Sequence, residues 1–230
     1  GGEETKCVIE RHPSVKALDS ADNLGVIKGR NLLAAAAGSS HILFLDDDQY
    51  VSAGSVKKLY ETALWRGCDM AGAVLCETNE KGVGCELSAW KSGPRVYLGA
   101  GGLLVKKAVF EKLGGFDEAF GMAYCEDPDF SWRATREGYE WRWVQNCGIA
   151  HAGGASLGTQ LDFDHDKQYR GSHALLRKKW PDRLERVEPS IAILILAHDR
   201  FDQFREYMKR NLDVIDPELS RIYLLLNGPA

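Results

Sequence analysis

Two spacings of apolar residues alternate along this 230-residue chain. Apolar runs of strand length occur at Val15–Leu18, His41–Leu45, Met70–Leu75, Ile191–Ala197 and Ile222–Leu226. Between them, apolar residues recur every three or four positions at Leu24–Ala37, Ala53–Trp65, Lys106–Leu113, Phe130–Glu137, Lys167–Trp180 and Phe201–Asn211, the spacing of one-sided helices. Strands that alternate with helices predict an α/β domain with a mostly parallel sheet. Asn23 is placed to cap the helix that follows it, while Gly38 and Gly114 stand where glycines end helices. The run Ile191–Ala197 passes into His198-Asp199-Arg200 and then a helical pattern, which reads as a central strand with its crossover helix. In nucleotide-binding α/β domains such a unit ordinarily comes first, and here it comes last.

Composition narrows the class without naming a chemistry. A hydrophobic fraction of 44% and a charged fraction of 27% are those of a globular protein that buries one substantial core. No apolar run reaches the roughly 20 residues that cross a bilayer, and GGEETK has no leader character, so a cytoplasmic protein is expected. The six cysteines form no C-x-x-C pair, which argues against zinc or redox chemistry. A net charge of −4 disfavours an electrostatic nucleic-acid binder, and the RKKW cluster at 177–180 reads as the solvated or dipole-compensating last turn of a helix.

Three stretches carry candidate chemistry. HILFLDDD at 41–48 is an apolar strand ending in Asp46, Asp47 and Asp48, at the strand end where open α/β sheets bind ligands. In an extended segment Asp46 and Asp48 would share a face and Asp47 would point away; two convergent carboxylates repel unless a cation lies between them. Turn and capping chemistry uses the same residues. Glu126, Asp127 and Asp129 follow a glycine-rich aromatic loop and open a helical pattern, where they could equally complement the helix dipole. His151 ends a short apolar run and enters the glycine loop GIAHAGGASLG. It could be a ligand or a satisfied structural histidine.

Taken together, DNLGVIKGRN at 22–31, FLDDD at 44–48, GAGGLLVKKAVFEKLGGFDE at 99–118, CEDPDFSWR at 125–133 and AHAGGAS at 150–156 resemble the inverting family 2 glycosyltransferases of GT-A fold. They follow the family's order across most of residues 20–180. Such enzymes begin with a strand-helix-strand unit, which SIAILILAHDRFDQFREYMKRNL and IYLLLNGPA resemble at this chain's C-terminus. The resemblance implies one GT-A domain over 1–230 that is circularly permuted, with 190–230 supplying the family's first unit. A truncated tandem domain or a domain-swapped dimer would give the same order, so the oligomeric state stays open.

The resemblance also implies the roles. A nucleotide diphosphate sugar, UDP-sugar favoured, would give its sugar to an acceptor hydroxyl with inversion. Asp127 would be the general base and Glu126 would position acceptor or base. The aspartates form a DXD motif in which Asp46 and Asp47 face the donor, and Asp48 with His151 holds Mn²⁺ or Mg²⁺. Ala197, His198, Asp199, Arg200 and Asn227 would meet the base, Arg30 and Lys28 the donor, and Gly101 in the 99–102 loop the donor sugar. Tyr124 and Met122 are the expected acceptor wall, and the helix with Tyr169 and Arg170 the expected closing segment. The acceptor could be a glycan, a protein, a small molecule or a modified nucleic-acid base. Two other classes share the sheet: a nucleotidyltransferase, whose glycine-rich phosphate loop AHDRFDQF lacks, and a nucleotide-sugar or glycan binder without turnover.

Overall fold

The computed structural model describes residue 7 and residues 9–151, 164–184, 191–198 and 220–227. The chain divides into two compact units, Gly1–Lys179 and Trp180–Ala230. In the first, helix α1 (Gly25–Ala36), strand β1 (His41–Phe44), β2 (Gln49–Val51), helix α2 (Ser55–Arg66), β3 (Met70–Gly72) and β4 (Leu75–Thr78) follow in order. Next come β5 (Gly84–Glu86), β6 (Val96–Leu98), β7 (Leu103–Lys106), α3 (Lys107–Lys112), α4 (Glu126–Arg136), β8 (Trp141–Trp143), β9 (Ile149–His151) and α5 (His165–Lys179). The second unit contains helix α6 (Pro181–Leu184) and strands β10 (Ile191–His198) and β11 (Ser220–Asn227).

The α/β alternation therefore holds, and the sheet at its centre is mixed. Its order is β1-β7-β3-β8, with β7 antiparallel to both β1 and β3 and β3 parallel to β8. Antiparallel β7 enters because the glycine loop 99–102 turns the chain back beside β1, so that Phe44 pairs Leu103. The expected strand over 70–75 is two strands, β3 and β4, and β4 belongs to a separate sheet ordered β5-β4-β6. Val15–Leu18 is not a strand: Val15 and Leu18 stay exposed, so the run buries nothing that would hold it extended. In the second unit β10 and β11 pair in parallel from Ile191↔Ser220 to His198↔Asn227, as their apolar runs predict. The expected helix Phe201–Asn211 lies outside the described residues.

Strand β1 has apolar residues on both faces because it lies between two layers of side chains. Leu43 packs with Leu59, Ala63, Ala71, Leu104 and Val144, the core between the sheet and α2. Phe44 packs with Phe110 and Phe116, each at a ring-centroid distance of 5.3 Å, and Phe130 lies 5.0 Å from Phe116. Burying an aromatic side chain stabilises the fold by about 1.5–3 kcal/mol, so this phenylalanine layer fixes the loop 114–117 against α4.

Polar side chains complete that fixation. Asn31 Nδ2 donates to the Phe116 carbonyl and its Oδ1 accepts from Phe116 N–H, both at 2.9 Å. Gly115 has φ +71°, and a Cβ there would lie 2.7 Å from Asn31 Oδ1. Arg133 donates to the carbonyls of Leu113 and Gly115 and to buried Asp129. Lys179 bridges Asp129 and Asp117, both at 2.6 Å. Arg177, Lys178 and Lys179 form the last turn of α5, as expected of the basic cluster at 177–180, and Lys179 also clamps α5 to α4. At the helix starts, Asn23 Oδ1 accepts from Gly25 N–H at 3.0 Å, close to the capping expected of it.

Candidate active site

Helix α4 is held to strand β6 by its first turns. Ser131 Oγ donates to the Leu98 carbonyl at 3.1 Å and accepts from Leu98 N–H at 3.2 Å, while Trp132 Nε1 donates to Val96. These contacts set the N-terminal end of α4 beside the loop 99–102 that leaves β6. Just before the helix, Tyr124 and Cys125 have φ of 75° and 68°, left-handed values that side chains other than glycine adopt at a cost of order 1–3 kcal/mol. The loop thereby turns sharply into Glu126 and Asp127.

Opposite lies the end of β1. Residues Asp46–Gln49 form a turn in which Gln49 N–H donates to the Asp46 carbonyl at 3.2 Å. The segment is bent, so the strand alternation does not apply, and Asp46, Asp47 and Asp48 all line one cavity of about 430 Å³ together with Arg30, Glu126, Asp127 and Tyr124. Arg30 of α1 spans the two acidic groups: its guanidinium donates to Glu126 Oε1 at 2.9 Å and forms an ion pair with Asp46. Gly101 leaves room for this turn, since a Cβ there would lie 2.5 Å from Asp46 Oδ2 and 2.9 Å from Gln49 Nε2.

Burial pushes the Asp127 carboxyl up to about 8, and repulsion from Glu126 adds to the rise; Arg30 and the backbone N–H groups of Asp127 and Ala100 oppose it. Glu126 is also raised by burial, against the pull of Arg30. Its Oε2 is buried and accepts no hydrogen bond among the described residues. An acid pair of this kind, one member near neutrality and the other with an unsatisfied oxygen, is suited to holding and moving a proton.

The expected residues divide as follows. Asp46, Asp47, Asp48, Arg30, Glu126, Asp127 and Tyr124 come together, with Gly101 beside them. Met122 does not line the cavity; its carbonyl accepts from Val26 N–H at 2.8 Å, and it packs against Gly25, whose φ is +70°. Lys28 and Arg170 are also outside the lining, whereas Tyr169 is part of it. The backbone of Ala197, His198 and Asn227 is described at the ends of β10 and β11. Asp199 and Arg200 lie outside the described residues. Tyr97, His173 and the hairpin tip Gly82–Gly84 line the cavity and were not anticipated. His173 was detectable only as the residue one turn after Tyr169 on the same helix face.

The carboxylates of Asp46, Asp47 and Asp48 are hard oxygen donors of the kind a divalent cation takes. Three carboxylates share one wall, and the antiparallel β2–β9 ladder pairs Gln49 with His151, bringing the His151 backbone next to the residue after Asp48. Carboxylate oxygens with one imidazole suit Mn²⁺ or Mg²⁺. No group of three or more metal-binding side chains is assembled among the described residues, and the His151 side chain is not among them.

Fold and site thus define an α/β domain with an acid-lined cleft at strand ends, where such sheets bind ligands. Residues 2–109, just under half of the chain, match the family described as Glycosyl transferase family 2. Among solved structures the chain is similar to the crystal structure of GalNAc-T7 with UDP, GalNAc and Mn²⁺, with a TM-score of 0.52 and 14% identity. The likeness covers 65% of this chain and 35% of that one, so this chain corresponds to about a third of that structure. No curated protein matches. The family match supports a glycosyltransferase, and the structural likeness shows an α/β fold of GT-A type.

Proposed function

We propose that this domain transfers a sugar from a nucleotide diphosphate sugar, UDP-sugar first among candidates, to an acceptor hydroxyl with inversion at the anomeric carbon. The observation that carries the reading is that Asp127 and the Asp46–Asp48 turn line a single cavity, since such a reaction needs a base and carboxylates that would hold a diphosphate-neutralising cation about one bound donor. Asp127 takes the proton from the acceptor hydroxyl as that oxygen attacks from the face opposite the leaving diphosphate. Glu126, held by Arg30, fixes the acceptor side. Asp48 with His151 would hold Mn²⁺ or Mg²⁺, and Asp46 and Asp47 would face the donor. The cation, when bound, supplies Lewis-acid neutralisation of charge on the departing diphosphate. Gly101 keeps side chains away from the donor sugar, and Tyr124 walls the acceptor side.

In the same reading, residues 190–230 supply the base-binding unit of a permuted domain, through Ala197, His198, Asp199, Arg200 and Asn227. The test of the reaction is Asp127→Asn assayed by donor hydrolysis or transfer. Turnover should fall about 10²–10⁴-fold while UDP still binds with near-parental affinity. Full activity in Asp127→Asn would remove this residue as the base.

A further inference from the structure

The last residue of the acidic turn holds it at both ends. Gln49 N–H donates to the Asp46 carbonyl at 3.2 Å, and Gln49 Oε1 accepts from Asp46 N–H at 2.9 Å. Both main-chain polar groups of Asp46 therefore end on one residue, and Asp47 and Asp48 are enclosed between the two bonds. A turn closed by its carbonyl bond alone is loosely specified, and many turns lack even that bond. The second bond, made by a side chain, removes the alternative of continuing β1 as extended chain, in which successive aspartates would face opposite ways.

Gln49 is itself fixed from two sides. It is the first residue of β2 and pairs with His151 across the ladder to β9, which anchors its backbone outside the turn. Its side chain lies against the glycine loop: a Cβ on Gly101 would stand 2.9 Å from Gln49 Nε2 and 3.2 Å from its Cδ, as well as 2.5 Å from Asp46 Oδ2. Gly101 lacks the positive φ that makes 102 a glycine position. An alanine at 101 is thus opposed by the Gln49 amide and the Asp46 carboxylate, and not by the backbone. The loop cannot simply back away, because Gly102 N–H donates to the Phe44 carbonyl at 2.8 Å and holds it to the end of β1. Only Oε1 can accept from Asp46 N–H, so the amide has one orientation, and its buried Nε2 has no partner among the described residues. A methionine would fill similar space with no buried donor left unsatisfied, so Oε1 is the part of this side chain that the fold uses.

We propose that Gln49 is a positioning residue: its side chain clips the Asp46–Asp48 turn into the bend that brings the three aspartates to one cavity, and residue 101 is a glycine to admit that clip. This rests on the reading of the cavity as a cation-assisted nucleotide diphosphate site and adds the residue that shapes its acidic wall.

The test uses Gln49→Met, which removes the acceptor at similar volume, Gln49→Glu, which keeps one, and Gly101→Ala, which presses on the clip. Two readouts are taken on the whole chain: hydrogen exchange at the Asp46 amide, and affinity for UDP with and without Mn²⁺. UDP carries no sugar, so a methyl group at 101 cannot act by touching one. The Asp46 amide should be protected in the parent and in Gln49→Glu, and should exchange at least about tenfold faster in Gln49→Met and Gly101→Ala. UDP affinity with Mn²⁺ should fall at least about tenfold in those two variants, while affinity without Mn²⁺ stays at the parental value. A general loss of folding would lower both affinities. The double variant Gln49→Met with Gly101→Ala should bind no more weakly than the poorer single, since both changes break one clip. Parental exchange or parental affinity in Gln49→Met, fast Asp46 exchange in Gln49→Glu, or losses that add in the double variant would overturn the proposal. Absence of any UDP binding by the parent would instead sink the nucleotide reading, and exchange at Asp46 would then decide the clip by itself.

Discussion

At the scale of single residues, the distinctive feature of the site is a carboxylic acid held near neutrality. With the Asp127 carboxyl raised to about 8 in the unliganded protein, kcat/KM should rise with pH and level off above about pH 8, since the base must be ionised to accept a proton. Asp127→Asn should remove that limb from the pH profile as well as lowering the rate. The same shift has an opposite consequence for stability. The folded state holds a proton on Asp127 that the unfolded chain, titrating near its ordinary value of 3.8, releases; between about pH 4 and 8 this group's contribution to stability therefore falls as pH rises. Urea titrations of parent and Asp127→Asn across that window should show a shallower decline in the variant. An identical decline would mean that Asp127 is not perturbed in the folded protein.

Among the elements, α4 carries two jobs that lie two residues apart in sequence. Asp127 faces the cavity, while Asp129 is fully buried and bound to Arg133 and Lys179. Asp129→Asn should thus destabilise the fold by about 3 kcal/mol, the low end for breaking a buried pair because the two cations are partly exposed, while turnover per folded molecule at low temperature stays close to parental. Denaturant midpoints and rates on the same samples check both halves. The acids of CEDPDF were legible as a group because their spacing is fixed by the chain, and the resemblance put the reaction on Glu126 and Asp127; the tie of Asp129 to Lys179, 50 residues away, is encoded by no local pattern. The same limit explains Met122 and His173. Met122 is claimed by the backbone around Gly25, and His173 enters the site through a helix packing that sequence periodicity leaves undirected. The DDD turn was placed correctly at a strand end and wrongly as extended, because the Gln49-to-Asp46 hydrogen bond bends it. Helix positions survived best, being set by local periodicity and caps, whereas the pairing of β7 between β1 and β3 is a nonlocal choice.

For the whole molecule, the order of segments is the open structural claim. If residues 190–230 are the first unit of a permuted domain, a chain reordered to run from Glu188 through Ala230 into Gly1 and on to Arg186 should fold with similar stability and bind UDP as tightly. Insolubility of that chain beside a well-folded parent would count against the permutation. Among the described residues no helix is long and apolar enough to cross a membrane. In the proposed reading, the cavity between the Asp46–Asp48 turn and α4 binds a nucleotide diphosphate through a divalent cation. A ligand at about 100 times its Kd stabilises the folded state by about 2.7 kcal/mol, which a melting curve resolves. The decisive measurement is the melting temperature of the parent and of Asp48→Ala with UDP, each with and without Mn²⁺. The parent should be stabilised by UDP far more with Mn²⁺ than without it, and Asp48→Ala should lose the Mn²⁺-dependent part while melting normally alone. Equal UDP-and-Mn²⁺ shifts in the two proteins, or no shift in the parent, would mean that no cation held by Asp48 binds the diphosphate in this cavity.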